Sequence, residues 1–214
     1  KLRSEFVARN YLTLDEIDRL VRSEPPSATL RLVRDAFLFS CFTGLSYVDL
    51  RGLTRRHIQH NRGHAWIDLT RRKTGTGVSV RLFALPLAIL ERYFPAAPDD
   101  RIFALPGNGW CNKCLERIVA AAGISKHITF HAARHTFATT ITLSQGVPIE
   151  TISKLLGHKS IRTTQIYAVI THSTLDGEMN RLSARIDALY PNDTAAPCSG
   201  KAVSETETFL VPAE

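Results

Sequence analysis

His131-Ala132-Ala133-Arg134 opens one helical stretch, Leu155-Leu156-Gly157-His158 closes another, and Thr163-Thr164-Gln165-Ile166-Tyr167 ends nine residues beyond His158. Singly, each segment has an ordinary structural reading. His131 can bond a carboxylate at a helix start, His158 can serve a helix C-terminus, and Tyr167 can be a core aromatic with its hydroxyl at the surface. Together they set cationic and hydrogen-bonding side chains near a phenol, a combination suited to an anionic group. Residues three apart share a helix face, so His131 and Arg134 point the same way. Arg134 offers a bidentate fork for phosphate oxygens, and His158 adds a further donor. A phenol with an ordinary pKa of about 10 needs such a positive field to attack as phenolate. The clustered carboxylates of two-metal nuclease chemistry are not apparent.

The chain around this stretch is punctuated like a helical domain. Thr13-Leu14-Asp15-Glu16 is a capping box, with Leu14, Ile17, Leu20 and Val21 as the apolar stripe behind it. Pro25-Pro26 breaks that helix. Ser27 caps a strongly apolar second one, through Leu30, Val33, Phe37 and Phe39, which ends near Gly44. A short third helix is expected over Ser46 to Leu53. Residues 56–83 then alternate, with glycines at 63, 75 and 77, and predict a small antiparallel sheet of two or three strands. Helices are expected through Leu87–Leu90, over 108–122, from His131 to Gln145, from Ile149 to Leu156, from Ser160 to about Val169, and over roughly 173–189. The fold class is therefore mainly α with a small antiparallel β-sheet. Residues 1–190 form the body, and 191–214 a flexible tail carrying one apolar patch, Phe209-Leu210-Val211.

At 214 residues and 44% hydrophobic, the chain can bury an ordinary core. Its net charge is +7, unevenly spread: the first 190 residues hold 26 bases and 16 acids, a net +10, and the tail is acidic. A basic body suggests a polyanionic partner, with nucleic acid ahead of an anionic membrane. No apolar run approaches a membrane span. Four cysteines make no disulfide framework and point to a reducing compartment. The only methionine is Met179, so Lys1 is not an ordinary translation start, and further sequence is expected upstream.

In order and spacing, His131-x-x-Arg134, Leu156-Gly157-His158 and Tyr167 resemble the C-terminal half of the tyrosine recombinase, or phage integrase, family. The flank Arg134-His135-Thr136-Phe137-Ala138-Thr139 agrees, Thr43-Gly44-Leu45 matches the family's first box, and Lys73 matches the lysine of its β2–β3 turn. The likeness spans roughly residues 10–185. It implies the tyrosine-recombinase (lambda-integrase-like) catalytic domain, without the family's upstream DNA-binding domain. It also implies cutting and rejoining of double-stranded DNA through a 3′-phosphotyrosyl link. Tyr167 would be the nucleophile, Arg134, His131 and His158 the phosphate-binding groups, and Lys73 the general acid for the leaving 5′ oxygen. Four protomers would act on two DNA sites, with a DNA-bending accessory protein as a possible helper. Such chemistry conserves the phosphodiester energy, so no cofactor and no metal is expected. The implied setting is the cytoplasm of a bacterium, at the nucleoid, with no membrane partner, and the task is integration and excision of a mobile element. A type IB topoisomerase or a decayed, non-catalytic DNA binder are the alternatives.

One position departs from the pattern. Where the family's first box usually ends in arginine, this chain has Ser46, followed by the expected acidic residue at Asp49. Serine cannot clamp a phosphate. Arg51 lies about 140° around a helix from Ser46 and faces away. Strand alternation puts Arg71 on the face of Lys73 and Arg72 on the other. Arg71 is thus the candidate replacement, with plain contact to the DNA backbone as its alternative, since the strand end could be bulged. Arg55, Arg56, Arg62, Arg72 and Arg81 around the sheet, and Lys154, Lys159 and Arg162 beside the His158 turn, are candidate DNA contacts, chiefly to phosphates. Cys111-x2-Cys114-x12-His127-x3-His131 has zinc-finger spacing, but it needs a ββα unit where residues 112–122 read as helix.

Overall fold

The computed structural model describes residues 10–94, 100–167 and 172–189. The chain divides into two units, Lys1–Ile170 and Thr171–Glu214. In the first, Thr13 and Glu16 cap α1 (Leu14–Arg22) reciprocally, and the Glu16 carboxylate also takes the Lys126 ammonium at 2.7 Å. Helix α2 (Ala28–Thr43) is buried along most of its length, and the Arg34–Asp35 pair within it is closed at 2.7 Å. It packs against α4 (Ala84–Tyr93), α5 (Asn108–Ala121) and α6 (Phe130–Thr136) and forms the centre of the main core. Gly44 ends α2 at φ +66°, and a Cβ there would lie 2.6 Å from Phe137, so both conformation and space require glycine. The short helix α3 (Tyr47–Arg51) follows, capped by Ser46.

Three antiparallel strands, β1 (Ile58–Asn61), β2 (His64–Thr70) and β3 (Gly77–Arg81), lie in the order β1-β2-β3, with Ile58 opposite Ile67 and Ile67 opposite Val80. Ala65, Ile67, Val78 and Val80 are buried, and the residues between them face outward.

The helix expected from His131 to Gln145 is not uniform. After α6 the backbone widens into a π-helix over Phe137–Thr142 and tightens into a 3-10 turn over Leu143–Gln145. The Thr142 side chain explains the break. The Thr142 hydroxyl donates to the Phe137 and Ala138 carbonyls, both at 2.9 Å, and the Thr140 hydroxyl donates to the Leu12 carbonyl. The Thr142 bonds compete with the regular helical ladder, whereas the Thr140 bond ties the segment to the residue before α1's cap. Helix α7 (Ile149–Leu156) then lays Ile152 and Leu156 against Phe137, Ala138 and Tyr167 in a second, smaller core. Helix α8 (Arg162–Gln165) is shorter than its expected Ser160–Val169, and Tyr167 sits in the turn after it. In the second unit, α9 (His172–Leu189) matches the helix expected over 173–189. The proposed tail, with Phe209-Leu210-Val211, lies outside the described residues. Among the described residues, no helix is long and apolar enough to cross a membrane.

Candidate active site

The connection between β2 and β3 decides which basic side chains meet. Strand β2 stops at Thr70, and residues 71–75 form a turn closed by Gly75 N–H to the Arg71 carbonyl at 2.8 Å and Arg71 N–H to the Thr76 carbonyl at 2.9 Å. Strand alternation therefore ends before Arg71. The expectation that Arg71 shares a face with Lys73, opposite Arg72, is corrected: Arg72 and Lys73 together line an open cleft of about 370 Å³ with Ser46, Asn108, His131 and Arg134. Tyr47, Val48 and Phe130 complete its walls. Arg71 instead turns inward and is only 3% exposed.

Inside, Arg71 Nη1 donates to Asp49 Oδ2 at 2.9 Å, and Nη2 donates to the carbonyls of Gly44 at 3.0 Å and Leu155 at 3.4 Å. The same Asp49 oxygen accepts the Ser46 hydroxyl at 2.7 Å, and Oδ1 accepts the Arg72 backbone N–H at 3.0 Å. Asp49 thus ties α3 to the turn that carries Arg71, Arg72 and Lys73. Burial pushes its carboxyl up, but the bonds from Ser46, the Arg72 backbone and Arg71, with the Arg71 charge, outweigh that and leave it below its ordinary value.

Arg134 meets Arg71 at one acceptor. Its Nη1 donates to the Gly44 carbonyl at 2.8 Å and its Nη2 to the Leu156 carbonyl at 2.5 Å. Burial, and then the neighbouring Arg71 charge, bring Arg134 down to about 10, so it stays cationic at neutral pH. Two guanidinium ions held this close and partly out of water favour an anion between them.

Gly157, at φ +64°, brings the next group in: a Cβ there would lie 2.6 Å from Val78 and 3.0 Å from the Arg71 side chain. The loop it releases places His158 Nδ1 2.8 Å from the hydroxyl of the fully buried Thr164. With that hydroxyl donating, the neutral ring carries its hydrogen on Nε2. Burial, then the charges of Arg134 and Arg71, push His158 down to about 4, so its ring is neutral at neutral pH. Because this value lies below the ordinary 6.5, the unfolded chain takes up the proton first as pH falls. Stability is therefore constant above about pH 6.5 and declines as pH drops towards about 4. His158→Asn should remove that part of the acid-side loss in urea titrations at stepped pH. An NMR titration of the ring with a midpoint near 6.5 would contradict this environment.

Tyr167 is 9% exposed, packed against Phe137, Ala138, Ile152 and Leu156, and its backbone N–H donates to the Thr164 carbonyl at 2.9 Å. Its phenol lies within electrostatic reach of Arg134. The buried His135 ring stands 5.3 Å from the Tyr167 ring and 4.6 Å from that of His131, which is exposed at the cleft. The residues singled out in the sequence thus converge on two sides of Arg134. Lys73, Arg72 and His131 line the cleft with it, and Arg71, His158 and Tyr167 surround it within.

Residues 10–173 match the model of the phage integrase family. The chain belongs to that family. It is 30% identical over 179 residues to the tyrosine recombinase XerD of Listeria monocytogenes, an alignment covering 75% of this chain and 58% of that protein. The chain therefore spans little more than half the length of that relative. The integrase fold is seen again in XerH site-specific recombinase bound to difH substrate, at 21% identity and a TM-score of 0.65 over 79% of this chain and 53% of that one. It recurs in the Tn1549 transposon integrase in complex with circular intermediate DNA, at 20% identity and a TM-score of 0.60 over 81% of this chain and 67% of that one.

The candidate DNA contacts of this integrase-family chain differ in readiness. Lys154, Lys159 and Arg162 are exposed around the His158 loop. Arg55 donates to the Phe94 carbonyl and lies over the Phe94 ring, Arg56 pairs with Asp100 at 3.4 Å, and Arg81 meets His64 at 3.0 Å. The zinc-finger spacing finds no ββα unit: Cys111 and Cys114 are buried in α5, and His127 is exposed in the following loop. Among the described residues, no group of His, Cys, Asp or Glu is placed to hold a metal ion.

Sequence reasoning passed over Asp49 as an organiser, Thr164 as the partner of His158, and His135. Ser46-x-x-Asp49 has the spacing of a capping pair and could have flagged the first. The shared Gly44 carbonyl has no sequence signal.

Proposed function

We propose that this chain cuts and rejoins double-stranded DNA at specific sites through a 3′-phosphotyrosyl intermediate, moving a mobile element. The observation that carries this reading is the buried phenol of Tyr167 within reach of Arg134, with the charges of Arg71 and Arg134 acting on the neutral ring of His158. The names of the XerD relative and of the DNA-bound XerH and Tn1549 structures support it.

In this mechanism the scissile phosphate enters the cleft between the β2–β3 turn and α6. Arg134, His131 and His158 donate to its nonbridging oxygens, and Arg71 supplies the second buried cation that Ser46 lacks. Tyr167 passes its phenol proton to solvent water and attacks phosphorus, forming the P–O(Tyr) bond. The bond to the 5′ oxygen breaks, and Lys73 protonates that oxygen as it leaves. A 5′-hydroxyl from a partner strand then reverses the step. No ATP or metal enters this balance. Arg55, Arg56, Arg72, Arg81, Lys154, Lys159 and Arg162 bind flanking phosphates, so affinity falls steeply with salt. Recombination takes four copies on two sites, in a bacterial cytoplasm at the nucleoid, with an accessory bending protein where the site demands one.

A randomised pool of nicked duplexes tests this. The chain should form SDS-resistant adducts whose DNA is linked to Tyr167 by mass spectrometry, and Tyr167→Phe should form none. DNA retention without any adduct would establish the non-catalytic binder that Ser46 brings to mind. Relaxation of supercoiled plasmid without exchange between two selected sites would establish a topoisomerase.

A further inference from the structure

We infer that His135 is a positioning residue for the nucleophile, its ring serving as a wedge that fixes the plane of the Tyr167 phenol against α6. The inference rests on the reading of Tyr167 as nucleophile. Helix α6 carries His131 and His135 four residues apart, one helical turn, so their rings lie on the same side. The His131 ring is exposed at the cleft, whereas His135 is 4% exposed. The two rings meet edge to face at 4.6 Å and 88°. The His135 ring continues to Tyr167 at 5.3 Å and 58°. Three rings therefore run in contact from the solvent-facing cleft to the phenol, with His135 touching both ends.

Tyr167 needs such a support. It stands in a turn after the four-residue helix α8, not inside a long helix. Phe137, Ala138, Ile152 and Leu156 pack with it in the small core. His135 adds an aromatic edge from the helix that also carries Arg134, so one rigid element sets both the phosphate clamp and the attacking ring. A nucleophile displaced by about 1 Å loses on the order of 100-fold in rate, which is the scale of effect expected from removing the wedge.

The test is single-turnover adduct formation at saturating DNA, using a nicked duplex selected from the randomised pool. His135→Ala and His135→Leu should each slow adduct formation about 100-fold with DNA affinity unchanged. His135→Phe, which keeps a ring, should recover most of the rate. A second substrate carries sulfur in place of the leaving 5′ oxygen. A thiolate leaves without a proton, so this substrate relieves a defect in leaving-group protonation and not one in nucleophile placement. It should leave His135→Leu slow.

Wild-type rates in His135→Leu, a Phe variant as slow as Leu, or rescue by the sulfur substrate would each overturn the inference. Independently of any variant, NMR of the unmodified chain should show nuclear Overhauser contacts between the His135 and Tyr167 ring protons, and their absence would also overturn it. Absence of any adduct in the wild-type chain would instead strike down the reading of Tyr167 as nucleophile.

Discussion

Arg71→Ala should lower adduct formation at saturating DNA by about 100- to 1,000-fold, the scale for losing one preorganised charged donor, whereas Arg72→Ala should chiefly weaken DNA binding. Arg71 is buried, shares the Gly44 carbonyl with Arg134, and contributes to the field that keeps His158 neutral. Its charge therefore acts on the phosphate and phenol in the transition state. Arg72 lies at the open cleft, with its guanidinium over Gly52, and its loss should reduce the salt slope of binding by about one. Removing Arg71 also strands the Asp49 carboxylate, a buried ion-pair loss of about 3–5 kcal/mol, so folding must be separated from chemistry. Ser46 does this. Its hydroxyl already lies 2.7 Å from Asp49, so an arginine at 46 can reach the same carboxylate. Ser46→Arg should restore stability and adduct formation to Arg71→Ala. In the wild-type background it brings a second guanidinium against Asp49, beside Arg71, and should impair both. Full chemistry in Arg71→Ala, or its loss in Arg72→Ala at saturating DNA, would refute the assignment.

The same region shows what the sequence can carry. Helices α2 and α7 are legible because apolar runs end at Gly44 and Gly157, where only glycine fits both the left-handed backbone and the close neighbours. The sheet is legible from its alternation. Alternation misleads at Arg71 because the chain has already entered the turn closed by Gly75 and Thr76. The uniform helix expected from His131 fails where the Thr142 hydroxyl competes for carbonyls four and five residues back. His131, Arg134, His158 and Tyr167 could be picked out because helix and turn spacing is local. The pairing of Arg71 with Asp49, 22 residues away, and the carbonyl shared by two arginines are tertiary facts with no local spacing.

Lys73→Ala should slow adduct formation by about 100- to 10,000-fold, the usual span for a general acid, and the substrate with a sulfur leaving atom should recover most of that loss. Lys73 sits in the 71–75 turn and lines the cleft with His131 and Arg134. An ammonium there can reach a leaving oxygen whose phosphate is held by Arg134. The turn itself is anchored by Asp49, through the Arg72 backbone N–H at 3.0 Å and the Arg71 guanidinium at 2.9 Å. Asp49→Asn should therefore imitate part of the Lys73 defect without touching the leaving group, and the sulfur substrate should recover only the protonation share of its loss. Lys73→Arg keeps the charge but holds its proton too tightly to release it. It should bind DNA normally and still need sulfur to leave. If sulfur fails to rescue Lys73→Ala, while Lys73→Arg cleaves the ordinary substrate at the wild-type rate, Lys73 is a phosphate contact and the proton comes from elsewhere.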